Sequence, residues 1–342
     1  MFKSVRKAYK KHYKEKYVMK KITALLLCAL LALSAFVLVG CGGNKEETLK
    51  LGLGVYSTAT AKDADGETKG SAEAVITVAA VLVDKDGKIV KCVVDTADNK
   101  VAYTSDGKAV ANDSFKTKHE LGDAYGMKNP NYGSTKEWYE HANAFCTLVE
   151  GKTVSEVKAL VAADGKNTDA VISAGCTIAA EEFVKAVEKA VANAKDSTAT
   201  KSSTLKLGVA TTQEVKDATA EKAGSNKLTT DVFAAALDAE GKIVAATNES
   251  VEVDFTFDVT GKSTFNAEKA IEGKREKGDA YGMKNPNYGS AKEWYEHADA
   301  FVAACIGKKA GEIASLKGNA DLQAAGCTIA IDGFIKAAAK VG

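Results

Sequence analysis

Two tripeptides of this 342-residue chain place a glycine, a thiol and a hydroxyl in a row: Gly175-Cys176-Thr177 and Gly326-Cys327-Thr328. Such a turn ahead of a helix suits an anion such as phosphate. The N–H groups of a helix N-terminus are unpaired and partly positive, the glycine lets the backbone approach closely, and the threonine adds a hydroxyl. The same residues admit a plainer reading, in which Thr177 and Thr328 only N-cap the helices that follow. A second set lies upstream of each turn: Tyr125, Met127, Asn129 and Tyr132, then Tyr281, Met283, Asn285 and Tyr288. Aromatic faces beside a soft thioether can hold a planar ring by stacking, with the amide at its polar edge.

Other chemistry has few actors. His141 and His297 each sit four residues after a glutamate and read as members of surface i,i+4 pairs. There is no nucleophile elbow, P-loop or triad pattern, so no catalytic residue is assigned. Beyond Cys28 of the leader described below and Cys41 at its end, five cysteines remain: Cys92, Cys146, Cys176, Cys305 and Cys327. An odd count cannot pair fully within one chain. Two readings stay open, disulfides Cys146–Cys176 and Cys305–Cys327 or buried thiols. No CxxC, HExxH or calcium-loop pattern occurs, so no metal site is expected.

The elements that must carry these residues occur twice. Both prolines (Pro130, Pro286) and both tryptophans (Trp138, Trp294) are 156 positions apart. Gly122–Phe145 matches Gly278–Phe301 at 22 of 24 positions, and Thr48-Leu-Lys-Leu-Gly52 matches Thr204-Leu-Lys-Leu-Gly208. The spacing predicts two tandem α+β domains, 48–194 and 204–342, joined by a flexible Ser/Thr-rich linker at 195–203. In each, Val- and Ile-rich runs around Asp84–Gly87 and Asp238–Gly241 predict antiparallel hairpins. The Gly-, Asn- and Pro-rich stretch 126–133 reads as loop. A helix is expected from about Ser134, with Ser134 and Glu137 as a capping box repeated at Ser290 and Glu293. Trp138, Ala142, Phe145 and Val149 form its apolar stripe, which marks the tryptophans as core. A strand near 170–173 then leads through the Gly-Cys-Thr turn into a helix from about Ala179 to Ala194. The whole is α+β, an antiparallel sheet packed by helices in each copy.

The first 40 residues are of another kind. Nine Lys/Arg and one acid in residues 1–21 precede an uncharged apolar run from Ile22 to Gly40. That pattern is a secretory signal, with Met19 as an alternative start; an uncleaved membrane anchor is the other reading. The ending Leu38-Val39-Gly40-Cys41 resembles the lipobox of bacterial lipoproteins, which implies a lipidated Cys41 at the mature N-terminus. On that resemblance 41–47 is a lipid tether and the body lies on the extracytoplasmic face of the cell membrane. Residues 41–342 then hold 37 bases against 44 acids, a net charge of −7, which gives no footprint for nucleic acid.

The hairpin around Asp84-Lys-Asp-Gly-Lys-Ile-Val90, the Gly-rich loop and the closing Ala-Gly-Cys-Thr resemble the FMN-binding domain of extracytoplasmic flavoproteins. Related domains occur in periplasmic subunits of ion-pumping electron-transfer complexes and in surface lipoproteins of Gram-positive bacteria. The resemblance implies FMN as cofactor, Thr177 and Thr328 at the phosphate, and Gly175, Cys176, Gly326 and Cys327 in the same turns. It also implies that the loop residues lie against the ring. The family turn carries Ser or Thr before the glycine and an aspartate six residues before the threonine. Here Ala174 and Ala325 precede the glycines, and Asp169 and Asp321 lie eight and seven residues before the threonines. Covalent flavin attachment is therefore not implied. The expected role is flavin-dependent extracellular electron transfer with a redox partner. The alternatives are a non-enzymatic lipoprotein that binds a small solute in the duplicated pocket, and a surface module without ligand.

Overall fold

The computed structural model describes residues 46–342, apart from the side chains of Tyr132 and Tyr288. The expected signal segment 1–40, Cys41 and most of the tether 41–47 lie outside the described residues. Residues 46–342 form one compact unit.

Each repeat opens with three long antiparallel strands. In the first these are β1 (Thr48–Lys62), β2 (Gly70–Val83) and β3 (Ile89–Tyr103), with a short β4 (Ala109–Val110) beyond. After it come α1 (Lys118–Leu121), α2 (Trp138–Val149), α3 (Val154–Lys158), α4 (Asp169–Ser173) and α5 (Glu181–Ala192). Strand β5 (Lys195–Thr200) leads into β6 (Thr204–Lys216), β7 (Gly224–Leu237) and β8 (Ile243–Phe257). Then follow α6 (Lys274–Lys277), α7 (Trp294–Cys305), α8 (Ala320–Ala324) and α9 (Asp332–Ala338). The sheets run β4-β3-β2-β1-β5 and β6-β7-β8.

Alternation along the strands sorts their side chains onto two faces. Leu49, Leu51, Leu53 and Val55 of β1 and Ile76, Val78, Ala80 and Leu82 of β2 pack against Leu228, Val232, Val253, Phe255 and Phe257 of the second sheet, forming one shared core. The opposite faces meet helices. Ala79, Val81 and Val94 contact Trp138, Phe145, Phe183 and Val187, and Phe233 and Ala235 contact Trp294, Phe301 and Phe334. The order is helix, sheet, sheet, helix. The repeats also exchange equivalent bonds: the Ala64 N–H donates to the Gly261 carbonyl at 2.8 Å, and the Ala218 N–H donates to the Gly107 carbonyl at 2.7 Å. Lys189 pairs with Glu276 at 2.7 Å, and Lys340 with Glu120 at 2.6 Å. Tyr103 and Phe257, which occupy equivalent positions, stack with centroids 4.4 Å apart.

The helical stripe Trp138, Ala142, Phe145 and Val149 is buried, as its spacing predicts. Three local expectations change. The 195–203 segment is not a flexible linker: Lys195–Thr200 is a strand on the free edge of β1, with Thr48 opposite Thr200. Residues 170–173, expected as a strand, lie in the short helix α4; so few residues do not let a period distinguish the two. The helix expected from Ser134 starts at Trp138. Its N-cap is Glu137, whose N–H donates to the Glu140 carboxylate at 2.8 Å.

Gly52 and Gly208, the last residues of the repeated Thr-Leu-Lys-Leu-Gly, face helices rather than the shared core. A β-carbon there would run into the Ala190 or Ala337 carbonyl. Gly208→Ala should therefore cost about 2 kcal/mol or more, read as a lower urea midpoint, because the helix must move off the sheet. Asp231 lies beneath α9, and burial pushes its carboxyl from 3.8 up to about 6, against the pull of Lys274 and Lys336. The folded state binds this proton more tightly, so stability falls as pH rises from about 4 to about 6. Asp231→Asn should stabilise the fold above pH 6 by up to about 3 kcal/mol, read as a higher melting temperature, with the gain vanishing below about pH 4.

Candidate functional site

The structure brings the two sequence motifs of the second repeat to one place. Tyr281, Gly282, Met283, Gly289, Ser290, Thr328 and Ile329 line an open cavity of about 480 Å3. That volume falls within the usual range of small-molecule sites. Tyr281 and Met283 are half-buried against the helical core, while Thr328 is exposed. Tyr125 and Met127 are half-buried in the same way in the first repeat, and Thr177 is exposed.

Buried carboxylates hold the loops. Glu137, 5% exposed, accepts the N–H groups of Met127 at 2.9 Å and Lys128 at 3.1 Å. Glu293 accepts those of Met283 and Lys284 at 2.9 and 3.2 Å. Asp95 and Glu249 fix the start of the same region, accepting the His119 N–H at 3.2 Å and the Arg275 N–H at 2.8 Å. The Tyr139 and Tyr295 hydroxyls donate to Asp123 and Asp279. Asn129 and Asn285 are used within the loop, their side-chain oxygens accepting the N–H two residues on at 2.9 Å. This shapes the turn and leaves the side-chain NH2 groups as donors. The side chains of Tyr132 and Tyr288 lie outside the described ones.

The Gly-Cys-Thr turns are built differently from the sequence expectation. Helix α5 begins at Glu181 and α9 at Asp332, each four residues past its threonine, with Ala180 and Ile331 as N-caps. Thr177 and Thr328 are therefore not caps, and the first-turn N–H groups of α5 and α9 do not belong to these turns. What the turns present is side chains. Gly175 and Gly326 have φ of +98° and +107°, a region that disfavours a β-carbon. A lysine ammonium fills the space beside each: Lys136 Nζ donates to the Gly175 carbonyl at 3.1 Å, and Lys292 Nζ stands against Gly326.

Behind the turn lies the histidine. His141 and His297 are buried, each 2% exposed, rather than paired on the surface with Glu137 and Glu293. His141 Nδ1 is 3.1 Å from the Gly175 carbonyl and 3.2 Å from the Thr177 N–H. His297 Nδ1 is 2.7 Å from the Gly326 carbonyl and 3.3 Å from the Thr328 N–H. Nε2 faces Ser134 at 3.4 Å and Ser290 at 3.2 Å. With a proton on Nδ1 the ring donates to the carbonyl, and without one it accepts from the threonine N–H. The histidine thus links helix, loop serine and turn.

Cys176 and Cys327 sit in these turns but point into the helical cores. Among the described residues all five cysteines are free and buried, so of the two readings the buried thiols hold and the disulfides do not. Burial pushes the Cys176 thiol up to about 11 and that of Cys305 up to about 12, which keeps both protonated and unreactive. Sequence reasoning gave no site role to Lys136 and Lys292, took Glu137 and Glu293 for capping partners of Ser134 and Ser290, and missed the buried role of both histidines. Their presence at matching positions in two copies was the available signal.

Replacing His297 by Phe should unpin the second turn, leaving a carbonyl and an N–H short of a partner. Amide hydrogen exchange at Thr328 should accelerate and stability fall by about 1–3 kcal/mol. Unchanged exchange would show that the ring does not hold the turn.

No family model matches the chain, and no solved structure matches it. An alignment 122 residues long, which takes in 32% of this chain, is 36% identical to a chlorophenol reductase of Desulfitobacterium hafniense and covers 37% of that protein. The chain thus spans little more than a third of the length of this relative.

Proposed function

We propose that this chain is an extracytoplasmic, lipid-anchored protein that binds a flavin in its repeated loop–turn pocket and serves electron transfer at the cell surface. The observation that carries the reading is the convergence of Tyr281, Met283, Ser290 and Thr328 on one cavity of about 480 Å3. They come from a loop and a turn some forty residues apart, joined through the buried His297. The lipobox resemblance supports the location, and the reductase name of the matching relative supports a redox role.

The residues present fit FMN. Thr328 and Lys292 supply a hydroxyl and an ammonium for a phosphate, and Ser290 adds a second hydroxyl. Tyr281 and Met283 supply the soft, flat contact for a ring. A bound flavin would supply the one-electron or hydride chemistry; the protein's share is binding, orientation and exclusion of water. Thr177, Lys136, Ser134, Tyr125 and Met127 would hold the same roles in the first repeat.

The purified chain should carry a visible flavin absorption band or take up added FMN. A colourless protein that also fails to take up FMN sinks the reading. The Thr177→Ala, Thr328→Ala pair should weaken binding about tenfold, since each loses a bond to a charged group. Flavin fluorescence in a denaturing gel that disappears in this double variant would establish a covalent link.

A further inference from the structure

The two loop–turn regions share their residues but differ in what surrounds them. In each, a lysine ammonium stands 5.3 Å from the ring centre of the loop tyrosine, Lys118 at Tyr125 and Lys274 at Tyr281. Around Tyr281 further cations gather. Lys277 Nζ is 6.0 Å from the same ring. Lys274 Nζ and Lys227 Nζ lie 3.0 and 3.1 Å from Glu252, which also accepts the Tyr281 hydroxyl at 3.3 Å.

The equivalent positions of the first repeat hold different charges. Leu121 stands where Lys277 does, Glu73 where Lys227 does, and Asp98 where Glu252 does. Glu73 and Asp98 meet, and their hydrogen bond pushes the Glu73 carboxyl up. Lys100 lies 3.4 and 3.6 Å from the two, at the position that Asp254 takes in the second repeat. Lys118 is thus the lysine at the first tyrosine, and Lys100 is taken up by Glu73 and Asp98. In the second repeat Lys227 faces Glu252 and the exposed Glu214 and Asp254, so the charge that differs at the tyrosine ring itself is Lys277, where the first repeat has Leu121. The lysines at the turns, Lys136 and Lys292, are common to both.

We propose that the second pocket is the anion-selective member of the pair. It takes a phosphate-bearing ligand ahead of the neutral analogue and fills before the first pocket, which discriminates less. The proposal rests on the reading of the loop–turn region as a ligand pocket, but not on the ligand being a flavin. One additional ammonium beside a site near the surface changes the affinity for an anion by roughly threefold to tenfold.

The test exchanges the differing residues in the full chain, Lys277→Leu and Leu121→Lys, with matched circular dichroism as the folding control. Calorimetric titrations use FMN, riboflavin and inorganic pyrophosphate. FMN should bind in two phases. Lys277→Leu should weaken the tighter phase about threefold to tenfold and leave riboflavin unaffected, while Leu121→Lys should strengthen the weaker phase. Equal binding of FMN and riboflavin in the tighter phase overturns the proposal, as does a Lys277→Leu protein that binds FMN like the parent. If neither flavin binds, the flavin reading fails by itself. Pyrophosphate binding that Lys277→Leu weakens then upholds the charge difference, and a chain that binds no pyrophosphate overturns it too.

Discussion

A β-sheet with two apolar faces must be covered twice, and here the second cover is the other sheet. Helices shield the outer faces with Trp138, Phe145 and Phe183 on one side and Trp294, Phe301 and Phe334 on the other. That leaves Leu51, Leu53, Ile76 and Val78 exposed unless Val232, Val253 and Phe255 meet them. Burial of such surface is the dominant favourable contribution to folding. Two independent domains on a flexible tether would forgo it, so the repeats close face to face and the segment between them becomes a strand. The loop–turn regions are thereby left on the outer, helical sides.

Within each outer layer, the site depends on polar groups with little access to water. Glu137 and Glu293 take two backbone N–H groups apiece from the loops that carry the methionines, and the histidines bridge helix to turn. Buried carboxylates and imidazoles are stable only when hydrogen-bonded. Folding of the loop and burial of these side chains therefore belong to one event, and the pocket lining is positioned by the same interactions that satisfy the interior.

Much of this was legible in the sequence. The repeat period, the hairpins and the apolar stripe of the tryptophan helix follow from spacing and residue type, while the pairing of loop with turn was only implied by the family resemblance. What was not legible depended on partners distant in the chain. Nothing local says that the Val-rich runs are buried on both faces, because a short apolar run reads alike for either case. Glu137 looks like a cap partner for Ser134 until the loop folds back onto its carboxylate. His141 looks like a surface neighbour of Glu137 until the turn arrives against its ring. The thiols of Cys146 and Cys176 share a core without being bonded, which spacing along a helix cannot distinguish from a bridge.

The polar contact under the closing helices is made in two different ways. In the first repeat Thr77 of β2 donates to Glu182 of α5 at 3.0 Å. In the second, the strand supplies the acid, Asp231, and the helix supplies Gly333, where any β-carbon would run into that carboxylate. A carboxylate occupies the same space, reached once from the helix and once from the strand. Identical subunits could not hold such a difference, since each substitution would appear on both sides of the axis at once. Covalent union of the halves lets each helix keep its own answer to the same steric question. It also makes the helices non-interchangeable: Glu182 grafted at position 333 would bring two acids together, and glycine at 182 would leave Thr77 without its acceptor.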